Sequence, residues 1–208
     1  ITARLICDLL VKSGIEEVIL MDIHAGQIQG FFDVPVNHLY AFPIARDYFI
    51  KKYNKKNLII ASPDAGGMER ARAFAKRSNI VDLAMTDKRR PAPNVAEITN
   101  VIGNVKGKYV LLIDDIIDTG GTAAKSAEAL IKAGAKGVSM FCTHGVLSGN
   151  AIQNIQNSSI DELIITDTIN NQAKLKKIKK IRVLSVADLF AKALRRIINK
   201  KSISNLFS

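Results

Sequence analysis

The sequence predicts an α/β fold, a parallel sheet flanked by helices, on three observations. Apolar runs of strand length, rich in Val, Ile and Leu, recur along the 208 residues. Stretches with apolar residues three and four apart separate many of them, as helices do. The runs are bounded by turn-forming residues and read as buried strands, which a parallel sheet covered on both faces requires.

Taken in order, residues 5–11 form an amphipathic helix that leads into a buried strand at 17–23. The chain starts at Ile1 and not at Met, so it is expected to open inside a βα unit, as a fragment or a trimmed gene product. Strands follow at 57–61 and 82–85, with a helix at 70–76 between them. Residues 88–95, rich in Arg and Pro, read as a mobile loop. A strand at 109–113 then feeds a helix at 123–133, which Gly134 stops as a C-terminal cap would. Further strands are expected at 137–141, 162–166 and 182–185, and a closing helix at 187–199.

With 48% hydrophobic residues the chain can bury a substantial core and has the composition of a soluble globular protein. Its apolar runs are far too short to span a bilayer, and no signal peptide is visible, so a cytoplasmic protein without membrane contact is expected. Cys7 and Cys142 lack metal-ligand spacing and sit in apolar runs, which suits buried reduced thiols. The net charge of +11 does not point to nucleic acid. The lysines are scattered, the densest group at 174–180 reads as a solvated face, and without Trp there is no aromatic interleaving. Basicity fits anionic substrates instead.

The most informative segment is Val110-Leu111-Leu112-Ile113-Asp114-Asp115-Ile116-Ile117-Asp118-Thr119-Gly120-Gly121-Thr122. An apolar strand ends in carboxylates and then in a glycine turn that opens a helix, the layout of a sugar-phosphate cradle at the carboxyl edge of a sheet. Gly120 and Gly121 admit the backbone close to an anion, and the amides of Thr119, Gly120, Gly121 and Thr122 would meet it at a helix N-terminus. Asp114, Asp115 and Asp118 would repel phosphate and suit ribose hydroxyls or a divalent cation. A plain strand-to-helix turn with Asp118 or Thr119 as cap is the bland alternative.

This run resembles the 5-phosphoribosyl-diphosphate loop of both type I phosphoribosyltransferases and ribose-phosphate diphosphokinases. Three other segments favour the second family. Met21-Asp22-Ile23-His24-Ala25-Gly26-Gln27-Ile28-Gln29-Gly30-Phe31-Phe32 closely resembles its signature segment, and the resemblance makes His24 a ligand of the Mg2+ carried by ATP. Ser62-Pro63-Asp64-Ala65-Gly66-Gly67 resembles another, and makes Asp64 a second metal-linked carboxylate; a helix cap is the alternative. Asp87-Lys88-Arg89-Arg90-Pro91-Ala92-Pro93-Asn94 is similar to the diphosphokinase catalytic loop, which makes Lys88 catalytic and Arg90 substrate-binding.

The resemblance runs from Ile1 to the closing 202–208, with a departure at Asn37, where the family usually has aspartate. It implies a type I phosphoribosyltransferase-like fold and transfer of the diphosphoryl group of Mg-ATP to the C1 hydroxyl of ribose 5-phosphate, for nucleotide biosynthesis. It also implies a homo-oligomer, a hexamer in the family. By the same analogy residues 1–38 finish an N-terminal domain whose upstream part holds ATP, 39–200 form the phosphoribosyltransferase-like domain, and 201–208 are a tail. A phosphoribosyltransferase and a non-catalytic regulatory homologue are the rival classes.

Overall fold

In the computed structural model, which describes residues 2–89 and 98–207, the chain parts into two compact units. The first joins Ile1–Pro43 to Ala187–Ser208, and the second is Ile44–Val186. The closing helix thus groups with the first 43 residues, whereas the division expected by resemblance left it with the second domain.

The first unit holds α1 (Thr2–Lys12), β1 (Val18–Met21), β2 (Val36–Leu39) and α7 (Ala187–Ile198), with α2 (Phe42–Lys52) crossing its boundary. Strands β1 and β2 pair in parallel from Val18 beside Val36 to Met21 beside Leu39. Strand β2 was not expected; it is four residues long and interrupted by Asn37 and His38, too weak a pattern to read without its partner.

The second unit is built on a seven-stranded sheet. Its strands are β3 (Leu58–Ser62), β4 (Leu83–Arg89), β5 (Ile98–Ile102), β6 (Tyr109–Ile117), β7 (Gly137–Gly145), β8 (Glu162–Thr166) and β9 (Ile181–Leu184). They lie in the order β5-β4-β3-β6-β7-β8-β9, all parallel except β5, which pairs antiparallel with β4. The helices are α3 (Met68–Ser78), α4 (Gly121–Lys132), α5 (Ala151–Asn157) and α6 (Gln172–Leu175). Helix α4 ends at Lys132, two residues before Gly134, which takes φ +95 as the expected C-terminal stop.

Helices cover both faces. Ile59, Ala61, Val110, Leu112, Val138 and Met140 pack in one buried cluster with Ala123, Ala127 and Leu130 of α4 and Ala151 and Ile155 of α5. Side chains alternate along a strand, so Ile60, Leu111 and Ile113 belong to the opposite face. There α3 lies on β3 and β6, and Tyr53, just after α2, bonds Ser139 through its hydroxyl at 2.8 Å. Cys7 and Cys142 are buried free thiols, and among the described residues no helix is long and apolar enough to cross a membrane. Lys174, Lys176, Lys177 and Lys179 are exposed, the solvated face their sequence suggested.

Two departures from the sequence reading matter for the site. Residues 88 and 89 were expected in a loop and instead end β4, opposite Thr99 and Ile98. The cause is β5, whose β-branched residues supply a pairing partner that the sequence does not announce. The rest of the expected loop, including Arg90, lies outside the described residues. Strand β6 also runs four residues past the expected 113, because β7 pairs onward with it through Asp114 beside Cys142 and Ile117 beside Gly145. That pairing outweighs the poor strand propensity of two aspartates.

The β4–β5 hairpin closes on Gly103, at φ +108, where a Cβ would fall 2.6 Å from the Leu83 carbonyl oxygen. Gly103→Ala therefore meets both backbone strain and a clash, with an expected cost on the order of 1–3 kcal/mol in denaturant unfolding. A variant as stable as the parent would show that the hairpin base adapts freely.

Candidate functional site

The strand order creates the site. Strands β3 and β6 are neighbours, yet β3 leads through α3 to β4 on one side and β6 leads through α4 to β7 on the other. Their two helices take opposite faces, so the ends of β3 and β6 open a crevice, the place where open α/β sheets bind ligands. The segments 62–67 and 114–122 both leave from this point.

Between β6 and α4 the chain turns at Gly120, which adopts φ +73. A side chain there would be strained and would press within 3.3 Å of Ile155. The carbonyls of the turn are held from behind. Val146 and Leu147 donate to Ile117 O at 3.0 and 3.2 Å, Ser148 N to Asp118 O at 3.2 Å, and Asn154 Nδ2 to Thr119 O at 2.8 Å. The Ser148 hydroxyl also donates to the Asp118 carboxylate. Helix α4 then starts at Gly121, and first-turn amides are those a helix leaves without internal acceptors. The result is a rigid turn with its carbonyls occupied and a helix N-terminus beside it, an arrangement suited to an anion.

The carboxylates differ sharply in environment. Asp118 is exposed, and Asp115 retains 1% side-chain exposure. Arg70 of α3 reaches both members of the pair, with its guanidinium 2.9 Å from Asp115 Oδ2 and 3.7 Å from Asp114 Oδ1. Burial pushes the Asp114 carboxyl up to about 7, its bond to Asp115 adds to this, and Arg70 pulls the other way. Burial likewise drives the Cys142 thiol well above its ordinary value, so it stays protonated beside them.

Asp64 is exposed at the end of β3. Its Oδ1 accepts the Gly67 amide at 2.9 Å, and Ser62 Oγ donates to its carbonyl at 2.7 Å. The N-cap of α3 is Gly67, with no side-chain cap bond, so Asp64 does not cap the helix; its bond to the Gly67 amide fixes the carboxylate beside the crevice. Gly67 is required there, since a Cβ would fall 2.5 Å from Ser62 Oγ.

His24 belongs to the first unit and is exposed two residues beyond buried Asp22. Three bonds tie its segment to the end of β2: Asp22 N to Leu39 O at 3.0 Å, Ala41 N to Asp22 Oδ2 at 2.9 Å, and Ile23 N to His38 Nε2 at 3.3 Å. Lys88 has its backbone on β4.

The fold thus brings Asp64, Asp114, Asp115, Asp118, Thr119, Gly120, Gly121 and Thr122 to one sheet edge. Arg70 and Asn154 were missed as site residues; Arg70 read only as a helix start, since its partners are more than forty residues away. Among the described residues no three His, Cys, Asp or Glu side chains gather as a protein-only metal site would need. A metal carried by phosphate needs fewer, because Mg2+ keeps water and phosphate oxygens and takes one or two protein groups.

The family described as phosphoribosyl synthetase-associated domain matches residues 78–208. The chain is 51% identical over its whole length to the ribose-phosphate pyrophosphokinase of Clostridium acetobutylicum, covering 65% of that protein. It is 49% identical to that of Haemophilus influenzae, covering 66% of it. A crystal structure of phosphoribosylpyrophosphate synthetase from Mycobacterium smegmatis superposes with a TM-score of 0.86 at 37% identity, over 96% of this chain and 64% of that one. The chain thus spans about two thirds of the length of these relatives.

Proposed function

Because this chain belongs to the ribose-phosphate pyrophosphokinase family, we propose that it serves transfer of the diphosphoryl group of ATP to the C1 hydroxyl of ribose 5-phosphate. The products are 5-phosphoribosyl 1-diphosphate and AMP. The observation that carries this reading is the cradle at the β3/β6 switch point, with carboxylates on one side and a helix N-terminus on the other.

The 5-phosphate sits on the amides of Thr119, Gly120, Gly121 and Thr122, and the ribose hydroxyls bond Asp114 and Asp118, with buried Asp115 behind them. So held, the C1 hydroxyl attacks the β-phosphorus in line and AMP departs, with positioning supplying most of the rate. Lys88 and Arg90 offset the negative charge that spreads over the phosphoryl oxygens. Asp64 would be a metal-linked carboxylate and His24, in the first unit, would be a ligand of the Mg2+ carried by ATP, a cation that would neutralise charge on the nucleotide phosphates. Their fit rests on the donor set: Asp64 is an exposed, fixed carboxylate, and a phosphate-borne Mg2+ needs few protein ligands. The protein acts in the cytoplasm as a homo-oligomer.

Release of AMP from Mg-ATP that depends on ribose 5-phosphate, assayed in the chain built out to the relatives' full length, tests the reaction; no AMP above background rejects it. A narrower test concerns the cradle. Asp118→Ala removes a charge-assisted bond to a sugar hydroxyl, so ribose 5-phosphate should bind more weakly by about 1.5–3 kcal/mol while ATP binding survives. Calorimetry showing equal ribose 5-phosphate affinity would take Asp118 out of the site.

A further inference from the structure

We propose that Arg70 is a positioning residue for the sugar: it holds the Asp114–Asp115 pair so that the Asp114 carboxyl is presented to a ribose hydroxyl. The inference rests on the reading of the crevice as a ribose 5-phosphate site. Arg70 arrives from α3, the helix that follows the 62–67 segment, and reaches the carboxylates of strand β6. One prong meets Asp115 Oδ2 at 2.9 Å, where a nearly fully buried carboxylate gives it a firm anchor. The other stands 3.7 Å from Asp114 Oδ1, close enough to attract the charge and too far to take up the oxygen in a tight bond. The Asp115 amide donates to the same Asp114 oxygen at 2.9 Å.

Two adjacent carboxylates repel one another, and burial disfavours charge on both. The groups facing them are Arg70 from α3 and the protonated Cys142 thiol from β7. Arg70 is the cation that this arrangement supplies to them. A guanidinium forks in a plane and can serve two carboxylates at once, which an ammonium does less well. Arg70 therefore couples the 62–67 segment to the sugar-binding strand without touching the sugar itself.

The test compares Arg70→Gln and Arg70→Lys with the parent 208-residue chain, using NMR titrations with ribose 5-phosphate and, separately, with inorganic phosphate. Phosphate probes the 119–122 turn alone. Arg70→Gln should weaken ribose 5-phosphate by about tenfold or more, the scale of one charge-assisted hydrogen bond, and leave phosphate binding unchanged. Arg70→Lys, which keeps the charge and loses the fork, should fall between the two. Equal ribose 5-phosphate affinity in Arg70→Gln, or a parallel loss of both ligands, overturns the positioning role. If Arg70→Gln does not fold, Arg70→Lys decides: loss of sugar-phosphate affinity with phosphate intact supports the role, and parent-like affinity for both overturns it. A parent chain that binds phosphate but not ribose 5-phosphate fails differently, since it rejects the ribose site itself.

Discussion

Lys88→Ala should lower kcat by about 100-fold or more while changing substrate affinity little, the signature of a donor that acts on charge developing in the transition state. Diphosphoryl transfer spreads negative charge over non-bridging oxygens, and a cation brought to them in a water-poor site is worth far more than in solvent. The backbone of Lys88 supports this reading. It belongs to β4, locked by antiparallel pairing to β5, and β4 is hydrogen-bonded to β3, the strand that carries Asp64 at its end. The assay is AMP release in the chain at its relatives' full length. A rise in KM with kcat unchanged would reassign Lys88 to ground-state binding.

Asp114→Asn should stabilise the protein at alkaline pH while weakening ribose 5-phosphate binding. The folded-state value near 7 lies above the ordinary 3.8. Below 3.8 both folded and unfolded chains carry the proton, and between the two values only the unfolded chain gives it up. Stability therefore falls as pH rises through this window, by about 1.4 kcal/mol per unit, and the loss is complete above about pH 7. Asparagine does not titrate and escapes that cost. Its advantage over aspartate should grow by about 2–3 kcal/mol between pH 5 and pH 8 in urea unfolding. An advantage that stays constant across that range would mean Asp114 ionises freely in the folded protein. A growing advantage means instead that the site holds a charge that folding disfavours, which is common where binding groups are buried.

How far the sequence could be read depends on where the information sits. The cradle was legible because its parts are local: strand, carboxylates, Gly120 and helix start all fall within 110–122. Helix α4 and its Gly134 stop were legible for the same reason. Strand β5 was not, because its only signal is a short β-branched run whose partner β4 comes before the 90–97 stretch. Helix α2 was missed because it begins Phe-Pro and buries only Ala45 and Phe49, too few for a clear three-four rhythm. Arg70 was invisible as a site residue because its meaning lies in Asp114 and Asp115, on another strand. Local chemistry reads from sequence, whereas pairing across the sheet needs the fold.

The route of the chain between β3 and β6 has one more consequence. The gap there exists because the two strands send their successors to opposite sides and their helices to opposite faces. It is a matter of wiring, not of how well side chains fit. Exchanging a buried Ile or Leu for a smaller residue would loosen the core and lower stability without closing the gap, so selection on ligand and selection on packing can proceed almost independently. Changes at 62–67 and 114–122 alter what the gap accepts, and only a rerouting of the strands could remove it.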